Sequence, residues 1–452
     1  MTIQHPGEIV HLASSLLAEI GRHSTVDIDN NQASVGLQHN LARRRMHELA
    51  KEEGKQGVEA QEQVLSELES LFTDMTSNQI IVAGTFKELA RSEPGQAQKL
   101  LQTCTSTTKQ IIAGTYDGQQ LDSTMLDRLS VSTGGLTASE SEKERLQQLA
   151  SDVLTVHFGL LMLPNLVATG NLHAQTMTSK AYDLHATVRH ARRFVALYQL
   201  MSGGKVDSER VCIKIPTTVP GLQAMRYLSS GGELDEFGVG GLLPEGRIQV
   251  LATTIFAVEQ GLAAAQAAGA LYTAPYINAL AAHFFGADNP SAEQRAEAID
   301  AGRRSVDETI VPLQRCLLRL RADDAAIKTK VMAASFLSID EAVALCGLDH
   351  MTLGASILEG LAKTEVTAAY AAATQQARSR FVAAPDAELE QYGAVLAAQE
   401  AGQLGCGGWL HPDSRSLARL IAALTQDDRC RFMLADALAR FTASEIELRN
   451  LF

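Results

Sequence analysis

Val211-Cys212-Ile213-Lys214-Ile215-Pro216-Thr217-Thr218 is an apolar, β-branched run closed by a proline and two threonines, with one lysine inside it. A run of this length without polar alternation predicts a parallel strand buried on both faces and ending at a loop. Lysine is rarely interior unless it is paired or put to use. Desolvation disfavours its ammonium form, so a lysine held there loses its proton readily and becomes a usable amine nucleophile. The alternative is a lysine that snorkels to the strand end, or a register that turns it outward.

Outward from this strand, residues 171–361 alternate short apolar runs with helical patterns, the rhythm of repeated βα units. Strand candidates are 171–178, 210–216, 247–254, 270–278, 329–336 and 350–357. Leu184, Val188, Ala191, Val195 and Tyr198, at steps of four and three, predict an amphipathic helix ending near Met201. Residues 258–268 and 339–345 read as further helices. Two earlier strands are expected at 25–29 and 70–77. The fold class is therefore α/β, a (β/α)8 TIM barrel with helical insertions and a C-terminal helical extension. Residues 1–361 would form the barrel, with a helical insertion at about 39–68 and a helical segment at 79–170; residues 362–452 would be helices packing on it. The stretch 229–246 is glycine-rich and reads as a mobile surface loop.

Length and composition fit this reading: 452 residues suffice for one large barrel with additions. A net charge of −13 argues against a nucleic-acid surface. No run of eighteen apolar residues predicts a membrane span. The opening MTIQHPGEIVHLASS lacks a basic region followed by an apolar core, so no secretory signal is expected. Cys104, Cys212, Cys316, Cys346, Cys406 and Cys430 are scattered without C-x-x-C spacing, which suits a reduced cytoplasmic compartment. Cys212 reads as a small buried apolar residue.

Three segments can be taken together: residues 179–228 around the lysine strand, VLATTIFAVEQGLAAAQAAGALYTAPYIN, and KVMAASFLSIDEAVALCGLDHMTLGASILEGL. They resemble the transaldolase family, including its fructose-6-phosphate aldolase branch. The final LADALARFTASEIELRNLF looks like the C-terminal helix of transaldolases. Similarity covers roughly 170–361 and about the last twenty residues, and the first 165 residues match only at short motifs. The resemblance implies an eight-stranded barrel with its site at the C-terminal strand ends, where barrel enzymes generally build their sites.

By resemblance Lys214 is the Schiff-base lysine, whose neutral amine attacks a ketose carbonyl to give an iminium that draws electrons from the neighbouring C–C bond. Gln175 falls where transaldolases carry glutamate and the aldolase branch carries glutamine, and Thr253 matches the family's threonine. In the family these two hold the water of iminium formation and hydrolysis, and both side chains can donate and accept. Thr254 is the alternative register for the threonine. Tyr276 stands where transaldolases usually have phenylalanine and the aldolase branch has tyrosine; its phenol can act as general acid or base, or else be a wall residue satisfied locally.

Asp29 corresponds to the family's proton-shuttling aspartate, with Asp27 on the same strand face as the alternative. Asn78, in Thr76-Ser77-Asn78-Gln79, resembles the family's T-[ST]-N-P motif with Gln79 replacing proline, and would bond a donor hydroxyl; Asp and Asn are also common capping residues. Ser335 matches a serine that helps to bind the substrate phosphate. Here the chain departs from the pattern, because Ala279 and Leu337 occupy the family's two basic positions, and neither can supply a charge-assisted grip. No arginine occurs between 248 and 294; Arg303, Arg304 or the N-terminal insertion are the remaining sources of a cation.

His185 and His190 are read as solvent-facing on a polar helix face. Gly402 to Gly408 is a turn and not a phosphate loop. Arg43-Arg44-Arg45 is a solvated helix face. No flavin, nicotinamide, pyridoxal or metal cofactor is expected, since the iminium is itself the electron sink.

The expected function is a transaldolase-like enzyme of carbohydrate metabolism, of the pentose phosphate kind. It would use Lys214 to transfer or cleave a three-carbon unit between a ketose or dihydroxyacetone donor and an aldehyde acceptor. Alternatives are an aldolase acting on unphosphorylated substrates, or a non-catalytic barrel used as a binding or scaffold protein. The expected partner is a small-molecule sugar or ketose, with no nucleic acid and no membrane, and a homo-oligomer is left open.

Overall fold

The computed structural model describes residues 15–31, 72–130, 142–284, 291–405 and 407–452. The insertion expected at about 39–68 and the Arg43-Arg44-Arg45 run lie outside these residues.

Eight parallel strands close into a barrel: β1 (Thr25–Asp29), β2 (Met75–Thr76), β3 (Leu172–Gln175), β4 (Val211–Pro216), β5 (Gln249–Ile255), β6 (Tyr272–Pro275), β7 (Lys330–Ala333) and β8 (His350–Leu353). Each strand pairs with its neighbours in sequence, and β8 closes on β1 through Val26 opposite Met351 and Ile28 opposite Leu353. All six residues of β4 are buried, as its unbroken apolar pattern requires. The strands are shorter than the apolar runs that mark them. Residues such as Thr176, Thr178, Thr217 and Asn278 are buried, but they belong to the turns that leave the barrel.

The helices that follow place the strand ends. They include α1 (Gln79–Ser92), α2 (Glu142–Met162), α3 (Leu184–Met201), α4 (Val219–Ser229), α5 (Val258–Gln266), α6 (Leu280–His283), α7 (Ala292–Ser305), α8 (Ile339–Ala344) and α9 (Asp428–Arg449). Several start on side-chain caps within a few residues of a strand end. Asn78 accepts from Ile81 N at 3.0 Å, and Thr218 accepts from Gly221 N at 3.0 Å. Such caps are worth about 1 kcal/mol each and fix where the chain turns from strand to helix. Gly221 is required on steric grounds, since a Cβ there would lie 2.1 Å from Pro216 O.

α2 is long and apolar enough, by length and composition alone, to cross a bilayer. Its Leu149, Ala150, Val153, Leu154 and Val156 are buried against β3, α3 and α9, which accounts for the apolar character. The stretch from residue 230 to 246 is an irregular loop, as expected, and it is bonded within itself. Asp235 accepts from the N–H groups of Val239, Gly240 and Gly241, and Arg226 forks onto Glu236, so the glycines fold around a carboxylate.

α9 lies against the C-terminal ends of the strands. Its Met433, Leu434, Ala437 and Phe441 form one apolar cluster with Phe256, Tyr276, Leu280 and Ala334. Thr442 bonds Thr178 at 3.0 Å, and Glu445 accepts from Ser179 Oγ at 2.7 Å. The last helix is thereby tied to the strand-end loops, the face at which barrels place their chemistry.

Candidate active site

Lys214 sits on β4 opposite Gln175 of β3, and both side chains face the barrel interior. The lysine is 3 % exposed, and its ammonium nitrogen has no hydrogen-bond or ion-pair partner among the described residues. Burial pulls its pKa below the usual lysine value, while Asp29 and Cys212 pull it back upward. A lowered pKa is the direction an amine nucleophile requires.

The two aspartates of β1 have separate surroundings. Asp29, at the strand end, accepts from Thr76 Oγ1 at 2.6 Å, and Thr352 Oγ1 lies 2.5 Å from the same threonine oxygen. Because the Thr76 proton goes to Asp29, Thr352 is the donor in the second bond. Asp27 is one pleat deeper and fully buried. It bonds His350 Nδ1 at 2.8 Å and accepts from Asp74 N at 2.9 Å. Burial raises the Asp27 carboxyl, against the pull of His350. Of these two aspartates, Asp29 is the one that raises the Lys214 pKa, and its charge also reaches Tyr276 and His283.

The deeper layer is a polar floor. Asp74 bonds His173 Nε2 at 2.9 Å and accepts from Asn171 N at 2.8 Å. Burial would raise the Asp74 carboxyl, but these bonds outweigh it and hold the group below its ordinary value. Tyr272 packs between the two imidazoles, 6.0 Å from the His173 ring and 4.9 Å from that of His350.

Gln175 and Gln79 engage one another. Gln175 Nε2 donates to Gln79 Oε1 at 2.8 Å, and Gln79 Nε2 donates to the carbonyls of Gln175 and Thr176, both at 3.1 Å. The residue that departs from the T-[ST]-N-P pattern is therefore the one that orients Gln175. Gln175 Oε1 is left buried without a partner among the described residues. Asn78 uses Oδ1 to cap α1, which leaves its amide N–H groups for other partners.

Thr253 Oγ1 lies 3.0 Å from Tyr276 Oη. The approach depends on an irregularity in β5: Ala252 pairs with Thr273 and Ile255 with Pro275, so β5 carries one extra residue. The extra residue is absorbed by Thr254 in the left-handed region, at φ +59°. A β-branched residue there is strained, and such strain gathers at functional sites. Thr254 turns its hydroxyl back onto Thr253 O at 2.6 Å, and Thr253 is the threonine that faces the tyrosine. Tyr276 is buried, edge-on to Phe256 at 5.6 Å, and burial pushes its phenol pKa upward. The hydroxyl is consequently protonated at neutral pH.

Ser335 follows β7 and is also left-handed, at φ +68°. Its hydroxyl donates to Asn278 O at 2.8 Å and lies 2.8 Å from His283 Nε2. Asn278 Nδ2 donates to Glu341 Oε1 at 3.0 Å, and Leu337 N donates to Glu341 Oε2 at 2.7 Å. Next to Ala279 and Leu337, which stand at the two positions that are basic in the family the sequence resembles, the fold thus holds a carboxylate. Arg303 and Arg304 are exposed on α7, and Arg304 pairs with Asp300 of its own helix at 3.0 Å.

His190 is corrected from solvent-facing to buried. Its Nδ1 accepts from Met177 N at 2.9 Å and its Nε2 meets Asp152 of α2 at 3.0 Å, so α3 is covered on two sides. His185 is exposed, as expected. Gln79, His283 and Glu341 were missed by sequence reasoning. Only the unusual glutamine after Asn78 gave a signal, and nothing local marks the other two.

A family model described as transaldolase/fructose-6-phosphate aldolase matches residues 59–401. A probable transaldolase of Dictyostelium discoideum is 27% identical over 227 residues, which are 50% of this chain and 60% of that protein. The chain thus spans less than two thirds of the length of that relative.

Proposed function

The chain belongs to the transaldolase/fructose-6-phosphate aldolase family, and from that premise we propose that it is a Schiff-base enzyme whose nucleophile is Lys214. The observation that carries the reading is a buried lysine on a barrel strand, without a partner among the described residues and with its pKa drawn below the usual value. In the proposed reaction the amine adds to the carbonyl of a ketose or dihydroxyacetone donor. Loss of water then gives an iminium. In a ketose donor the neighbouring C–C bond breaks toward it to leave an enamine and release an aldehyde. With dihydroxyacetone, loss of a C–H proton gives the same enamine, which adds to the acceptor aldehyde. Gln175 and Thr253 hold the water that leaves and returns, and the unpartnered Gln175 Oε1 is available to accept from it. Tyr276, kept protonated by burial, relays the proton of the substrate hydroxyl with Thr253 beside it. Asp29 serves the donor side, for its charge reaches the lysine whereas Asp27 is committed to His350. Asn78 offers its amide N–H groups to a donor hydroxyl.

Gln175 with Tyr276 favours aldolase-type chemistry over three-carbon transfer, and the missing basic pair favours substrates without a phosphate grip. The test is borohydride trapping with dihydroxyacetone, followed by mapping of the adduct. The adduct is expected on Lys214, and Lys214→Met should abolish both it and turnover. Full activity of that variant, or an adduct on another lysine, would end the proposal.

A further inference from the structure

Beyond Tyr276 the rim is built by the end of β6, α6, the turn after β7, and α8. Ala334 bridges to Tyr276, so Ser335 is one residue from the wall of the catalytic chamber. His283, the last residue of α6, is open to solvent on one side and lies 2.8 Å from Ser335 Oγ through Nε2. The serine has one proton, and it points to Asn278 O. Nε2 must therefore carry the ring proton and donate, which leaves Nδ1 as a bare acceptor. Nδ1 has no partner among the described residues. The bridge from Ala334 to Tyr276 and the bond from Ser335 to His283 join the imidazole to the chamber wall, and Asp29 is among the charges acting on both His283 and Lys214.

Resting on the Lys214 reading, we propose that His283, seated on Ser335, binds the distal end of the aldehyde acceptor, and that this end is a neutral hydroxyl-bearing group and not a phosphate. A hydroxyl can donate to Nδ1, whereas a phosphate dianion presents acceptors only and meets a second acceptor. The surrounding charges point the same way. Glu341 holds its carboxylate beside Ala279 and Leu337 through Asn278 Nδ2 and Leu337 N. Arg440 of α9 is committed to Asp436 at 2.8 Å and to the face of Phe284 at 4.8 Å. Burial also lowers the His283 pKa, which keeps the ring neutral and in its accepting form.

The experiment compares kcat/KM for glyceraldehyde and for glyceraldehyde 3-phosphate, with dihydroxyacetone as donor, in the unaltered chain and in His283→Ala, His283→Gln and His283→Arg. The unaltered chain should prefer glyceraldehyde. His283→Ala should raise its KM by about 2- to 10-fold, the effect of one neutral hydrogen bond, with kcat less affected. His283→Gln, which keeps an acceptor, should recover much of the loss, and His283→Arg should move the preference toward the phosphate ester. Preference of the unaltered chain for the 3-phosphate would overturn the inference, as would a His283→Ala effect equal for both aldehydes. Borohydride trapping separates the two readings. With no adduct on Lys214 the proposed function fails as a whole, whereas an adduct together with a phosphate preference removes only the role given to His283.

Discussion

Tyr276→Phe separates chemistry from packing at one atom. The ring keeps its place against Phe256 and the apolar side of α9, and only the hydroxyl 3.0 Å from Thr253 Oγ1 is removed. Thr253 Oγ1 has no other hydrogen bond among the described residues, so the deletion leaves a buried hydroxyl alone, at a cost to stability of about 1–3 kcal/mol. A positioned general acid or base contributes roughly 10²–10⁴-fold to rate, or about 2.7–5.4 kcal/mol at about 1.36 kcal/mol per decade. The loss of turnover should therefore exceed the loss of stability. The assay is kcat for ketose cleavage beside the denaturant midpoint and beside trapping on Lys214, which should persist. Adding Thr253→Val removes both partners together, and should recover stability relative to Tyr276→Phe without recovering kcat. Turnover within about 10-fold of the unaltered chain would refute the reasoning and make Tyr276 a wall residue.

Other outcomes follow from the electrostatics of the barrel. Burial sets the Lys214 pKa below 10.5 and Asp29 raises it, so the amine fraction grows as pH rises through a midpoint under 10.5. Asp29→Asn removes the raising charge, and the pH midpoint of borohydride trapping should fall even as turnover is lost; an upward or absent shift would disconnect Asp29 from the lysine. In the floor beneath, His350→Leu leaves the fully buried Asp27 carboxyl without its 2.8 Å partner. That should cost about 3–5 kcal/mol, whereas His350→Leu combined with Asp27→Leu should cost less, with about 1–3 kcal/mol remaining for the Asp74 N–H that Asp27 no longer accepts. Urea midpoints decide this, and equal losses in the single and double variants would show that the pair does not act as a unit.

The sequence by itself determined the barrel and its central lysine. A parallel strand buried on both faces must be apolar throughout, so β4 announced both its burial and the anomaly of Lys214. The βα rhythm located the six strands from residue 171 onward, because period-two and period-3.6 patterns are local properties of the chain, while the first two strands stood outside that rhythm as separate candidates. The tertiary structure decided the rest, since it depends on what stands opposite. Asp27 and Asp29 share a strand face, and only the neighbouring strands make one a partner of His350 and the other a neighbour of Lys214. The stripe on α3 identified the side that meets the barrel but not a second buried side, because α2, which supplies Asp152 to His190, lies 38 residues earlier in the chain. Gln79 finds Gln175 across 96 residues, and His283 finds Ser335 across 52. No local pattern records such meetings: closure of the barrel brings distant strand ends together, and the hydrogen-bonding capacity of each side chain then selects its partner.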